Sequence, residues 1–280
     1  MQIEVIIEKK SHKLDAEEGK TILETLQEHG IHVLTAPCGG RGRCGKCTVE
    51  VEHMGEVLAC MTKVTDGMRI TIPKVQLRAQ KSKIAENGTV THYPADDGEG
   101  LDAACDIGTT TVVCHLIDGK TGEKLATVSE PSAQRSFGAD VLSRIQAAEA
   151  GKLEILKEQI IFQIAQMLRT LQKKTGRGEQ IQRLAVVGNT VMCHLFAGIS
   201  PVSIGVTPFM PQEFFGKEYT GEQLGLTDCR SVYIAPAVAG FVGGDITSDL
   251  LAVMQKNPKE KVLLLDIGTN GEMAGGNEDH

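Results

Sequence analysis

The chain has 280 residues, 41% hydrophobic and 23% charged, which as a prior means two globular domains. Aromatics are only 4% and Trp is absent, so a mostly aliphatic core is expected and base stacking on aromatic platforms is not. The formal charge of −7 lies wholly beyond residue 78, because residues 1–78 carry 11 Lys/Arg against 11 Asp/Glu, and no basic footprint for nucleic acid exists. No apolar run is long enough to cross a membrane. The opening MQIEVIIEKK alternates like a strand, with no signal-peptide pattern, so the expected location is the cytoplasm.

Residues 2–8 alternate and read as a strand, and residues 11–16 as a second one after a turn at Lys9-Lys10. Thr21 to Gly30 reads as a short helix, with Thr21 as N-cap, Glu24 three residues on and Gly30 as the stop. PCGGRGRCGKC follows, too glycine-rich for helix or strand. CTVEVEHM and MRITIP read as strands on either side of Cys60. The first 78 residues are therefore expected to form a small α+β domain. Residues 79–101 are polar and rich in turn formers, and read as a linker.

From residue 102 strands and helices alternate. AACDIGTTTVVCHLID is an apolar strand broken by a turn, DGKTG a hairpin turn, and KLATVSE the returning strand. Helices are expected over Gly138–Ala150 and Leu153–Lys174, the longer one with Ile155, Ile160, Ile161, Ile164, Met167, Leu168 and Leu171 near helical spacing. IQRLAVVGN, TVMCHLFAGI, SVYIAPAVAG, a helix from about Ile246 to Gln255 and KVLLLDIGTNGEM continue the pattern. This places 102–280 in the α/β class.

Cys38, Cys44, Cys47 and Cys60 are spaced x5, x2 and x12. Four thiolates suit a 2Fe–2S cluster, two for each iron. Gly39, Gly40, Gly42 and Gly45 allow a tight loop that turns N–H groups toward electron-rich sulfurs, and Arg41, Arg43 and Lys46 add positive charge. A structural zinc site is the competing reading, but it normally pairs two CxxC knuckles, and here there is one. Cys105, Cys114, Cys193 and Cys229 are scattered and read as buried small apolar residues.

Asp106-Ile107-Gly108-Thr109-Thr110 and Asp266-Ile267-Gly268-Thr269-Asn270 repeat a strand–turn–strand pattern 160 residues apart. A turn glycine lets phosphate oxygens approach the backbone, Thr hydroxyls and N–H groups bind the anion, and an Asp at the strand end can hold Mg²⁺. Two such hairpins could clamp a nucleotide phosphate chain. Gly188-Asn189-Thr190 is a candidate connecting segment, and Gly243-Gly244-Asp245 a candidate wall of the cleft.

Residues 1 to about 78 resemble the ferredoxins of the plant and vertebrate type, with LACMTKVTDGMRITIP matching the last ligand and closing strand. That resemblance implies a β-grasp fold. The paired DIGT segments resemble the acetate kinase, sugar kinase, heat-shock protein 70 and actin superfamily, which implies ATP and Mg²⁺ at Asp106, Gly108, Thr109, Thr110, Asp266, Gly268, Thr269 and Asn270. The ordered set DIGTTTVV, SFGADVLSRI, VVGNTVMCHLFAGI, GFVGGD and LLLDIGTNGEM behind a cluster domain is similar to the reductive activators of corrinoid proteins. This implies ATP-dependent one-electron reduction of Co(II) to Co(I) on a corrinoid protein of a methyltransferase system. No residue is singled out as catalytic, and the sequence names no upstream electron donor. Members of that family continue well past GEMAGGNEDH, so an incomplete second lobe is expected. Two other readings stay open: a simple electron carrier with a vestigial or docking C-terminal module, and a small-molecule kinase with Asp245 as its base.

Overall fold

The computed structural model describes residues 1–73, 98–256, 259–268 and 271–277. They divide into two units: one holds the described residues of Met1–Lys83 together with Ala133–Ala147, the other the rest. Most of the 79–101 linker expected from the sequence lies outside the described residues.

In the first unit, β1 (Gln2–Ile7) and β2 (Lys10–Asp15) form a hairpin, with Glu8 and Lys9 both at positive φ in the turn. α1 (Ile22–Glu28) follows. Thr21 and Glu24 cap each other reciprocally, as the sequence implies, and Gly30 stands just past the last turn with φ +68. β3 (Thr48–Val51), β4 (Gly55–Leu58) and β5 (Arg69–Thr71) complete a five-stranded sheet in the order β2-β1-β5-β3-β4. Only the β1–β5 pair is parallel. Ile22, Leu23 and Leu26 of the helix share an aliphatic core with Ile3, Val5, Val49, Val51 and Ile70 of the sheet. This is a ferredoxin-like domain. β4 was not legible in advance, because GEVL is short and bounded by turn-like residues.

The second unit is built on a six-stranded mixed sheet, β10-β11-β9-β6-β7-β8. β6 (Leu101–Ile107), β7 (Thr111–Asp118) and β8 (Lys124–Pro131) form an antiparallel meander. β9 (Ile181–Val187) lies parallel to β6, β11 (Cys229–Ile234) parallel to β9, and β10 (Lys217–Thr220) antiparallel at the edge. α2 (Val141–Ala147) belongs to the first unit. α3 (Leu153–Thr175) crosses β7 and β8 and meets α4 (Thr190–Ala197). Its buried stripe starts at Leu156 rather than Ile155, continuing through Ile160, Ile164, Met167, Leu168 and Leu171. The short α5 (Gly221–Leu224) leads into β11, and α6 (Gly244–Lys256) packs on β12 (Val262–Ile267), which pairs with β13 (Gly271–Gly276).

One expectation is corrected. Cys105 and Cys114 are buried, but they are not separate thiols. They face each other across the β6–β7 ladder, Cα atoms 4.2 Å apart, and form a disulfide. Cys193 and Cys229 are buried and free, as expected.

Candidate functional site

Two separate sites merit description, one in each unit. The first is the loop between α1 and β3. Gly39, Gly40, Gly42 and Gly45 all take positive φ, which folds residues 38–47 back on themselves. Cys38 and Cys44 sulfurs stand 3.3 Å apart. Cys47 enters β3 and Cys60 leaves β4. Pairing of Thr48 with Leu58 and the Ala59 N–H to Cys47 carbonyl bond bring the second pair of thiols into hydrogen-bond contact. The four cysteines thus arrive as two pairs. Two irons bridged by sulfide need two thiolates each, whereas zinc needs four ligands about one centre. The donor set therefore fits a 2Fe–2S cluster better than zinc.

Backbone donors converge on these sulfurs. Burial alone would raise the Cys38 thiol, but N–H groups of Cys44, Arg43 and Arg41, with the Cys44 thiol, bring it down to about 6. Cys60 is pushed up to about 12 by burial and by the Cys47 thiol, against the opposing N–H of Gly42. Amides aimed at sulfur stabilise negative charge there, which is what an anionic cluster requires.

The second site is a cavity of about 550 Å³ in the second unit, a size that suits a small ligand. Asp106, Gly108, Thr109 and Thr110 of the β6–β7 hairpin, Asp266 near the end of β12 and Gly268 just after it all line the cavity. Thr269 and Asn270 lie outside the described residues. Gly108 cannot carry a side chain: a Cβ would stand 2.6 Å from the Thr111 carbonyl oxygen. Asn189 caps α4 by accepting the Met192 N–H and donates its own amide to Thr109 Oγ1 at 3.0 Å, which fixes that hydroxyl. A Cβ on Gly243 would meet Asn189 Cα and Thr190 N at 2.6 Å, so the GFVGGD loop lies backbone to backbone on Gly188-Asn189-Thr190. That contact places Asp245 at the cavity, its N–H donating to the Gly188 carbonyl.

The cavity is crowded with carboxylates. The Asp106 side chain opens onto it, and protein crowding followed by Asp245, Asp249 and Asp266 pushes its carboxyl up to about 7. Asp245, Asp249 and Glu272 are raised first by burial and then by the charge of Asp266, with Asp245 adding to the last two. Like charges held this close call for a cation. Asp249 and Glu272 escaped the sequence reading. Asp249 had a signal, since it lies four residues after Asp245 and so shares its helix face. Glu272 had none without the register of β13.

Residues 4–74 match the 2Fe-2S iron-sulfur cluster binding domain, and residues 101–257 match the RACo middle region. The chain is similar to the corrinoid activation enzyme RamQ of Eubacterium limosum, at 28% identity over 88% of this chain and 54% of that protein. It is also similar to the Co(II) methylated amine-specific corrinoid protein reductase of Methanosarcina barkeri, at 28% identity over 61% of this chain and 33% of that protein. Among solved structures, a reductive activator for corrinoid, iron-sulfur protein aligns with a TM-score of 0.61 at 26% identity, covering 99% of this chain and 62% of that one. The chain spans about half, or less, of the length of the curated relatives it matches. None of its described helices is long and apolar enough to cross a membrane.

Proposed function

This chain belongs to the RACo middle-region family and carries a ferredoxin-type iron–sulfur domain ahead of that region, and from this premise we propose that it is an ATP-dependent reductive activator of a corrinoid protein. The observation that carries the proposal is the meeting of two repeated Asp-x-Gly hairpins at one carboxylate-rich cavity, in the same chain as a loop of paired cysteines.

When bound, a 2Fe–2S cluster supplies one electron at a low potential, near roughly −400 mV for plant-type centres. Cys38 and Cys44 would hold one iron, and Cys47 and Cys60 the other. The N–H groups of Arg41, Gly42, Arg43 and Cys44 direct positive dipole at the sulfurs and so favour the reduced, more negative state. At the cavity, the Gly108 turn and the hydroxyls of Thr109 and Thr110 would take phosphate oxygens. Asp106, Asp245 and Asp266 would take Mg²⁺, directly or through water, and relieve their mutual repulsion. Gly268, at the cavity, would add a further phosphate contact, and Thr269 and Asn270 are candidates for the same role by sequence.

The substrate is the cobalt of a corrinoid protein of a methyltransferase system, which gains one electron on going from Co(II) to Co(I). A weakly ligated Co(II) is harder to reduce than the cluster, so the transfer is uphill. ATP binding or hydrolysis would shift that balance through the complex. Clustered cysteines in a cytosolic chain serve metal and redox chemistry, and on that reading the protein is placed in the cytoplasm. The test has two parts. Anaerobic protein should show a visible spectrum that bleaches on reduction and a rhombic one-electron resonance. Its ATP hydrolysis should rise when a Co(II) corrinoid protein is added. A full cluster signal with no nucleotide binding would leave only an electron carrier.

A further inference from the structure

Ala133–Ala147 lies within the middle region by sequence, yet it folds with the ferredoxin unit. Its contacts there converge on the first cluster cysteine. Ala139 N–H donates to the Pro37 carbonyl at 3.2 Å, one residue before Cys38. A Cβ on Gly39, one residue after Cys38, would stand 3.4 Å from the Phe137 carbonyl oxygen and 3.7 Å from Ser143 Cβ. Gln27 of α1 donates its side-chain amide to the Ser136 carbonyl at 3.0 Å in a fully enclosed setting. Ser136 and Phe137 are buried, and the Phe137 ring faces His32 with centroids 6.5 Å apart.

The segment is also braced from within. Arg144 is fully buried, and its guanidinium donates to Gln134 Oε1 and to the Gly138 carbonyl, tying its helix to the loop in front. Asp140 caps the same helix by accepting the Ser143 N–H at 2.7 Å.

We propose that Ala133–Ala147 is a strap that completes the iron–sulfur site by holding the Pro37–Gly39 turn, so that residues outside the ferredoxin sequence help set the centre's reduction potential. The inference rests on the cluster reading above. Cluster potentials respond to solvent exposure and to hydrogen bonds at the sulfurs. The strap bears on both, because it covers the turn that carries Cys38 and fixes where the Cys38 sulfur stands relative to its amide donors. Gln27, Phe137 and Ala139 act as positioning residues and touch no iron.

The test is a redox titration of the anaerobic full chain, read by electron paramagnetic resonance. Gln27→Leu removes the donor to Ser136, and Ala139→Pro removes the donor to Pro37. Both should move the midpoint potential and the g-values at unchanged iron content. Met54→Ala, on the exposed β3–β4 turn, should reproduce the native values. Native potential and g-values in both strap variants would overturn the strap and leave the cluster reading intact. A native protein with no rhombic signal after reconstitution would instead overturn the cluster reading. Should the variants lose iron or unfold, hydrogen exchange on native protein with and without its iron decides the matter. Strap amides should exchange faster once iron is removed, and identical exchange would refute the proposal.

Discussion

Thiol and carboxylate groups at the two sites face opposite electrostatic problems. At the cysteine loop, donors surround the sulfurs, so negative charge is welcome. At the cavity, burial and the charge of Asp266 raise Asp106, Asp245, Asp249 and Glu272, with Asp245 adding to the other three, so negative charge there is unfavourable without a cation. Replacing Cys47 by Ser should abolish the visible bands and the reduced-state resonance, whereas Cys193→Ser, a buried thiol donating to the Gly188 carbonyl, should keep both. Adding Mg²⁺ should raise the native Tm by a few degrees. In Asp106→Asn the metal-free protein should already melt higher, and the response to Mg²⁺ should shrink, as scanning calorimetry would record. His194 supplies a pH dependence. Burial pushes its imidazole below the usual range, while its bond with the Thr190 carbonyl pulls the other way. Nδ1–H donates to Thr190 at 2.7 Å and Nε2 accepts the Glu213 N–H at 3.3 Å, an arrangement open only to the neutral ring. The unfolded ring takes a proton near 6.5, so the stability that neutral His194 contributes is complete above that pH. It is lost as pH falls toward the folded value. Native Tm should therefore fall more steeply between pH 7 and 5 than that of His194→Gln.

Hairpins and loops explain how far these elements could be read beforehand. The capped helix at Ile22–Glu28 and the first Asp-x-Gly hairpin were legible because local chemistry decides them: a reciprocal Thr–Glu cap, and Gly108 where the Thr111 carbonyl comes within 2.6 Å of any Cβ. The Cys105–Cys114 bond was also implicit in the Gly108–Thr111 turn, since a hairpin centred between Thr109 and Thr110 sets 105 opposite 114. It was missed because each cysteine was weighed alone. The placement of 133–147 was not legible at all. Its partners Gln27 and Pro37 lie about a hundred residues away, and no local pattern announces a contact at that separation. Close backbone packing gives a prediction at this scale. Gly243→Ala would push a methyl group into the Asn189 and Thr190 main chain, which cannot rotate away. The expected cost is about 3 kcal/mol of stability. Nucleotide affinity should fall with it, because Asn189 holds Thr109.

Across the whole chain, a ferredoxin-type module and a RACo middle region are joined in one polypeptide that is acidic only in its second part. The sheet order of the first unit and the mixed sheet of the second fit the two classes expected. The β12–β13 hairpin exposes Leu263, Leu265, Ile267 and Met273 on one face, an apolar surface of the kind that marks contact with another body. The run VLLLDI, apolar on successive residues, is the pattern of a strand covered on both sides.

The most direct test is anaerobic reduction of a Co(II) corrinoid protein by the reduced chain, with and without MgATP, followed through loss of the Co(II) resonance. The account predicts that the signal disappears with MgATP and persists without it, and that Cys47→Ser abolishes the effect. Loss of the Co(II) signal at the same rate without nucleotide, or its persistence with MgATP and a fully reduced cluster, would contradict it.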